Sequence, residues 1–378
     1  MSSRSHNISK WASAVLLPAL LTFHLGAAAQ TSGFNSSAST SVFTRIATPN
    51  LGPNNLLESM SADSEQDIWA VGDFVSLNFN GTAWKAIPLA LPAGEATMNG
   101  ISAQSPSDVW AVGSTVVNNH LISVTEHFDG KKWSIVPSPQ FASGSQLFKV
   151  FAVASDSVYA VGALSTDTQL QGKPLIEHFD GTKWSVVSLP LAIKNTRAEL
   201  VNIAGLSATD IWMIGNVVTG SPLVLHFDGQ NFTRVPFPGS KVFLSGITLI
   251  ASNDAWITGS NGGTLAAHWD GNAWKRVASP SGPAGSSSGL AAVAAVSSAD
   301  VWAAGGINQP GVGFLNLVEH WDGTQWTINP IQTSKQAFDE LNAALAFPSG
   351  SVFVAGTRLH CDTTICGGFD SVVFHTMD

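Results

Sequence analysis

One six-residue phrase, an aromatic strand opened by Asp and closed by Gly, returns so regularly along this chain that only a repeat architecture accommodates it. It reads DIWAVG at Asp67–Gly72, DVWAVG at Asp108–Gly113, SVYAVG at Ser157–Gly162 and DIWMIG at Asp210–Gly215. It continues as DAWITG at Asp254–Gly259 and DVWAAG at Asp300–Gly305, with a worn seventh copy, SVFVAG, at Ser351–Gly356. Successive closing glycines are 41, 49, 53, 44, 46 and 51 residues apart. A second phrase follows each of the inner copies: HFDGKKW at His127–Trp133, HFDGTKW at His178–Trp184, HFDGQNF at His226–Phe232, HWDGNAW at His268–Trp274 and HWDGTQW at His320–Trp326. The first copy has Asn78-Phe79-Asn80-Gly81 and then Trp84.

Asp-Gly or Asn-Gly between apolar runs is a hairpin signal, because both residues tolerate positive φ. The second phrase therefore joins a third strand to a fourth. A small apolar run precedes each aromatic strand, as in Val201–Ala204 and Ala291–Val296, and reads as a first strand crowded round an axis. Four strands per 40–50 residues is the size of a propeller blade. Seven copies give an all-β chain, a seven-bladed β-propeller of four-stranded blades. The seventh blade has a third strand at Val372–His375 but no fourth before Asp378. The missing strand stands at the other end, where FTRIATP at Phe43–Pro49 aligns with WSIVPSP at Trp133–Pro139. The N-terminal strand is expected to complete the last blade and remove the exposed edge. Residues 42–378 form the propeller.

The DVWAVG and HWDGxxW phrases resemble those of exported bacterial β-propeller repeat proteins. More loosely they are similar to kelch, galactose-oxidase and Asp-box propellers, the last including sialidases and photosystem II assembly factors. The adjacent Asp-Gly departs from the Asp-x-Gly of the Asp-box, and the paired glycines of kelch strands are missing. The resemblance implies a propeller and transfers no catalytic residue.

Residues 1–29 read as a signal peptide: Arg4 and Lys10 are basic, Trp11–Gly26 is largely apolar, and Ala27-Ala28-Ala29 offers small residues for cleavage. Residues 30–41, rich in Ser and Thr, read as a disordered leader. The product is expected outside the cytoplasm, secreted or in the periplasm or cell envelope, with no membrane span after cleavage. In that setting Cys361 and Cys366, the only cysteines, read as a disulfide. The net charge is −9, and loss of the leader's two basic residues leaves 15 basic against 26 acidic residues. Such a balance argues against a nucleic-acid partner.

The residues most tempting to chemistry are the periodic ones. Twelve of the 13 tryptophans occupy repeat positions and the remaining one, Trp11, lies in the leader. They are expected between blades rather than on a sugar. Six histidines, His127, His178, His226, His268, His320 and His375, share one repeat position, each on its own blade, so no two are expected to share a metal. They are expected to bond a backbone group or the hairpin Asp. Glu126, Glu177 and Glu319, each preceding one of them, are expected to face solvent or bond locally. No glycine-rich phosphate loop, Ser/His/Asp set or arginine triad is present, so no catalytic residue and no cofactor is assigned.

Loops from strand two to three, and from strand four to the next blade, vary in length and emerge on one face. Recognition belongs on such loops. The candidate ligand-binding residues there are His120, Lys194, Arg197, Glu199, Asp339, Glu340, Arg358, His360 and Asp362. The expected function is a non-enzymatic binding or interaction module, monomeric, taking a protein, peptide or carbohydrate ligand. A carbohydrate-active hydrolase or lyase with its site at the propeller mouth, and a structural cell-envelope protein, are the alternatives.

Overall fold

The computed structural model describes residues 42–49, 51, 55–91, 96–118, 120–164, 172–217, 221–331, 338–361 and 366–376, with side chains except at 338–339, 360–361 and 366–368. The expected signal peptide and leader, residues 1–41, lie outside this set. Seven four-stranded antiparallel sheets account for nearly all of it. Blade 1 holds β1's successors β2 (Ser59–Ser64), β3 (Asp67–Gly72), β4 (Val75–Phe79) and β5 (Trp84–Ala86), where β1 is Phe43–Ile46. Blade 2 holds β6 (Ala96–Ser105), β7 (Asp108–Val117), β8 (His120–Phe128) and β9 (Trp133–Ile135). Blade 3 holds β10 (Ser145–Ala154), β11 (Ser157–Leu164), β12 (Lys173–Phe179) and β13 (Trp184–Val186). A single helical turn, α1 (Leu191–Lys194), leads to blade 4, built of β14 (Ala198–Ser207), β15 (Asp210–Val217), β16 (Pro222–Phe227) and β17 (Phe232–Arg234). Blade 5 is β18 (Phe243–Ala251), β19 (Asp254–Ser260), β20 (Thr264–Trp269) and β21 (Trp274–Val277). Blade 6 is β22 (Ser287–Ser297), β23 (Asp300–Gln309), β24 (Gly313–Trp321) and β25 (Trp326–Ile328).

Blade 7 combines both ends of the chain. Its order is β26 (Phe338–Ala346), β27 (Val352–Cys361), β28 (Cys366–Thr376) and then β1, with Phe43 opposite Thr376 and Ile46 opposite Val373. The first strands contact one another in sequence, β2 to β6 and onward to β26, and β26 returns to β2. The fold is a closed seven-bladed β-propeller with first strands innermost.

The two phrases build the space between blades. In a strand, residues i and i+2 share a face, so Asp108 and Trp110 stand together on β7. His127 lies directly across from Trp110 in the ladder. Its ring packs on the indole at 4.5 Å between centroids, and its Nε2 meets Asp108 Oδ1 at 2.8 Å. Asp210–His226, Asp254–His268 and Asp300–His320 repeat the bond at 2.9, 2.8 and 2.8 Å. Blade 3 substitutes the Ser157 hydroxyl, 3.0 Å from His178 Nε2. The partner of the repeat histidine is thus the Asp that opens strand two, not the hairpin Asp.

That hairpin acid has another task. Asp129 Oδ1 accepts the backbone N–H groups of Lys131 and Lys132, and only Gly130 takes a positive φ, of 87°. The turn is a four-residue loop closed by an Asx interaction rather than a two-residue one. In blades 2, 3, 5 and 6 the tryptophan after the hairpin packs edge-on against the strand-two indole of the preceding blade. Trp133 meets Trp69 at 90°, Trp184 meets Trp110 at 83°, Trp274 meets Trp212 at 85° and Trp326 meets Trp256 at 87°. These indoles are buried, in the T-shaped geometry that aromatic quadrupoles favour.

Candidate functional site

Because strands alternate in direction, one end of the ring carries the short turns between strands one and two and the hairpins between three and four. The other end gathers the longer connections. There the first strands open the axial channel at register-equivalent positions: Thr97, Gln146, Glu199, Phe243 and Glu340, each paired with the residue that follows a closing glycine. A β-bulge follows at once in six of the blades, between residues such as Leu147 and Lys149.

Those expected site residues that are described fall on this face, in several groups. Glu199 and Glu340 hold equivalent rim positions on blades 4 and 7, nearly across the ring from one another. Loss of hydration raises the Glu340 carboxyl above its ordinary range. Asp339 is cross-strand from Arg358, which is itself cross-strand from Asp370. His120 is exposed at the start of β8, Lys194 is exposed at the end of α1, and Arg197 is exposed just before β14. His360 lies on β27 but its side chain, like those of Asp339, Cys361 and Cys366, is outside the described set, as is Asp362 altogether. The ladder sets Cys361 opposite Cys366.

Lys149 was invisible to the sequence reading, yet it is the most unusual side chain in the channel. It rises from the first strand of blade 3 and its Nζ donates to the carbonyls of Glu58 and Asn99 at 3.0 Å each, tying together three blades. Burial pulls its pKa down to about 8, against the pull of the Glu58 carboxylate. Nearby amides share the work: Asn99, Asn202 and Asn342 each donate to a carbonyl of a first strand or its approach on the next blade. The one available signal was a lysine inside an apolar first strand, Phe148-Lys149-Val150.

Three buried glutamates overturn a second expectation. Glu126, Glu177 and Glu319 do not face solvent; each is fully buried. Glu126 accepts the N–H groups of Ala90 and Leu91 at 2.8 and 3.1 Å. Glu177 accepts from Ser138 at 2.7 Å and Glu319 from Ser279 at 2.5 Å. Each partner lies on the connection leaving the preceding blade, so each carboxyl tethers one of the long loops. Loss of hydration raises Glu177 to about 7 and Glu319 to about 8, and one oxygen of each has no hydrogen-bond partner. The folded chain then holds these protons up to pH 7–8, while the unfolded chain releases them near 4.5. Stability should therefore be greatest below about pH 4.5 for these groups and fall as pH rises through 7–8. For Glu177 the difference is roughly 3 kcal/mol. Melting curves of wild type and the Glu177→Gln/Glu319→Gln double variant should converge near pH 5 and separate at pH 8.5, with the variant the more stable. Parallel curves would remove the carboxyls as the source.

No protein-family model matches the chain, and no curated protein sequence does. Solved structures do. The structure described as "YCF48 bound to D1 peptide" is similar with a TM-score of 0.59 at 16% identity, over 91% of this chain and 97% of that one. The WD40 propeller domain of Doa1 gives 0.57 at 8% identity, over 90% and 97%. The GH74 xyloglucanase of Xanthomonas campestris gives 0.62 at 10% identity, over 88% of this chain and 55% of that one. At such identities the likeness establishes the propeller fold alone.

Proposed function

We propose that this chain is an exported, non-enzymatic binding propeller that recognises a protein, peptide or glycan on its variable-loop face. The observation that carries the reading is how the reactive side chains are used. Four repeat histidines, His127, His226, His268 and His320, are bound to Asp and stacked on indoles, hairpin acids hold backbone N–H groups, and strand-two tryptophans are buried. The polar residues outside this repeat pattern include the non-periodic ones of the variable face. There Glu199 and Glu340 stand on blades three apart, whereas glycoside hydrolysis needs two carboxyl groups flanking one bond. Propellers similar to this one include a peptide-bound YCF48, which supports recognition of a polypeptide.

Cys361 and Cys366, directly opposed in an antiparallel ladder, suit a bridge because cross-strand Cα spacings of about 4.5–5.5 Å fall in the disulfide range. We include that bridge and export by the N-terminal leader in the proposal. The test is a peptide and glycan array probed with periplasmically expressed protein, beside a panel of chromogenic glycosides. Binding is expected, together with no turnover and no titratable thiol. Turnover abolished by Glu199→Gln or Glu340→Gln would replace the binding reading with the hydrolase one, and two free thiols would remove the bridge.

A further inference from the structure

The two ends of the ring carry different charge. The hairpin end displays Asp129, Asp180, Asp228, Asp270 and Asp322, all exposed apart from the half-buried Asp270. On the variable face most of the described cations lie on one side, Arg45 and Arg358 of blade 7 being on the other. Lys173 opens β12, Lys194 closes α1, Arg197 precedes β14, Arg234 closes β17, Lys241 precedes β18, and Arg276 reaches from β21 to the Asn261 amide beside the loop between blades 4 and 5. All six are exposed. Among the described residues none of them forms an ion pair; the single Lys–Asp pair, Lys275 with Asp270, sits at the opposite end. On this arc of blades 3–5 the described acid is Glu199 alone, whereas blades 7 and 1 carry Glu58, Asp73, Glu340 and Asp370 on the same face against Arg45 and Arg358.

Apolar groups lie among these cations. Leu191 is 73% exposed, Val186 47% and Phe243 38%. Lys241 holds a left-handed φ of 57°, a conformation glycine adopts without cost, yet this position carries a cation two residues before Phe243. Unpaired cations favour an anionic partner, and the interspersed aliphatic side chains favour one with apolar groups of its own. A sulfated glycan offers no counterpart to Leu191 and Val186. A nucleic acid would find one aromatic ring to stack on and a strongly acidic molecule behind it. An acidic polypeptide with apolar side chains satisfies both features.

We propose that the arc formed by blades 3, 4 and 5 on the variable face docks an acidic polypeptide segment whose apolar side chains cover Leu191 and Phe243. This rests on the reading that the variable face binds, and narrows it to one side and one chemistry. Lys194, Arg197 and Lys241 supply the charge, and the carboxylates of blades 7 and 1 repel the segment from the other half, fixing which side it occupies.

The test uses the mature chain and a fluorescein-labelled peptide of five Glu-Glu-Leu repeats, read by anisotropy. A Gln-for-Glu counterpart and a heparin octasaccharide serve as comparisons. The acidic peptide should bind at least tenfold more tightly than its Gln counterpart, and less tightly at 300 mM than at 50 mM NaCl. Arg197→Glu with Lys241→Glu should weaken it at least tenfold and Leu191→Asp at least fivefold. Lys131→Glu, at the other end, should leave it within twofold, with melting temperatures unchanged throughout because all four residues are exposed. Equal binding of both peptides, indifference to the double reversal, or preference for the octasaccharide would each overturn the inference. If the peptide fails while array ligands bind and are lost on changes at His120 or Glu340, only the inference falls. If array ligands fail as well, the binding reading falls with it.

Discussion

Gly305→Ala should cost about 3–4 kcal/mol, while Gly306→Ala, one residue along the same strand, should be nearly silent. A Cβ on Gly305 would lie 2.0 Å from the carbonyl oxygen of Gly289 on the first strand, and the obstacle is backbone that cannot rotate away. A Cβ on Gly306 would meet nothing closer than 3.4 Å, an ordinary contact. The same collision recurs at every closing glycine: 1.7 Å at Gly72, 1.9 at Gly113, 2.0 at Gly162, 2.3 at Gly215, 1.9 at Gly259 and 1.8 at Gly356. In six of the seven blades a bulge stands on the first strand just where the second ends its aromatic phrase, and the two strands are pressed closest there. Relieving the clash means prying the innermost strand from its neighbour in the most crowded part of the ring. Chemical denaturation of the two single variants decides the matter. A Gly306→Ala loss equal to that of Gly305→Ala would show that chain flexibility, not close approach, explains the glycine.

That glycine marks the boundary of what the sequence discloses. Its recurrence alone fixed the blade count, because a seven-fold pattern survives any local ambiguity. Its reason was hidden, since the approaching carbonyl belongs to a strand some 15 residues earlier whose bulge leaves no compositional trace. The histidines behave likewise. Spacing showed that each belongs to its own blade, but the choice between the strand-two Asp and the hairpin Asp depends on register, which only the ladder Trp110 to His127 settles. Glu126, Glu177 and Glu319 were misjudged because burial of an acid is against the usual trend, and their partners are about 35–40 residues away on another blade. At the site the position of the variable face was legible from loop lengths, while the sorting of its charges by blade, and the reach of Lys149 to two other blades, required three dimensions.

Truncation after residue 49 should destabilise the ring far more than truncation after residue 41. β1 is only four residues long, yet it pairs along its length with β28, from Phe43 opposite Thr376 to Ile46 opposite Val373. Phe43 takes the place that the post-hairpin tryptophan has in other blades: it is 4% exposed and meets Trp302 of blade 6 edge-on, at 5.9 Å and 75°. Thr48 continues the seam, its hydroxyl 2.7 Å from that of Ser371. Removing β1 uncovers the edge of β28, exposes Trp302, and lets the terminal blades part, so several small terms are lost together. Phe43→Ala alone should cost about 3–4 kcal/mol. Losing the strand adds its hydrogen bonds, at about 1 kcal/mol each, and presents an unpaired edge to other molecules. The longer truncation should therefore melt well below the shorter one and aggregate on warming, with Phe43→Ala intermediate. Adding a peptide of residues 42–49 to the truncated protein should restore part of the lost stability. Equal melting of the two truncations would mean that the ring is held by its first strands alone and that β1 only decorates it.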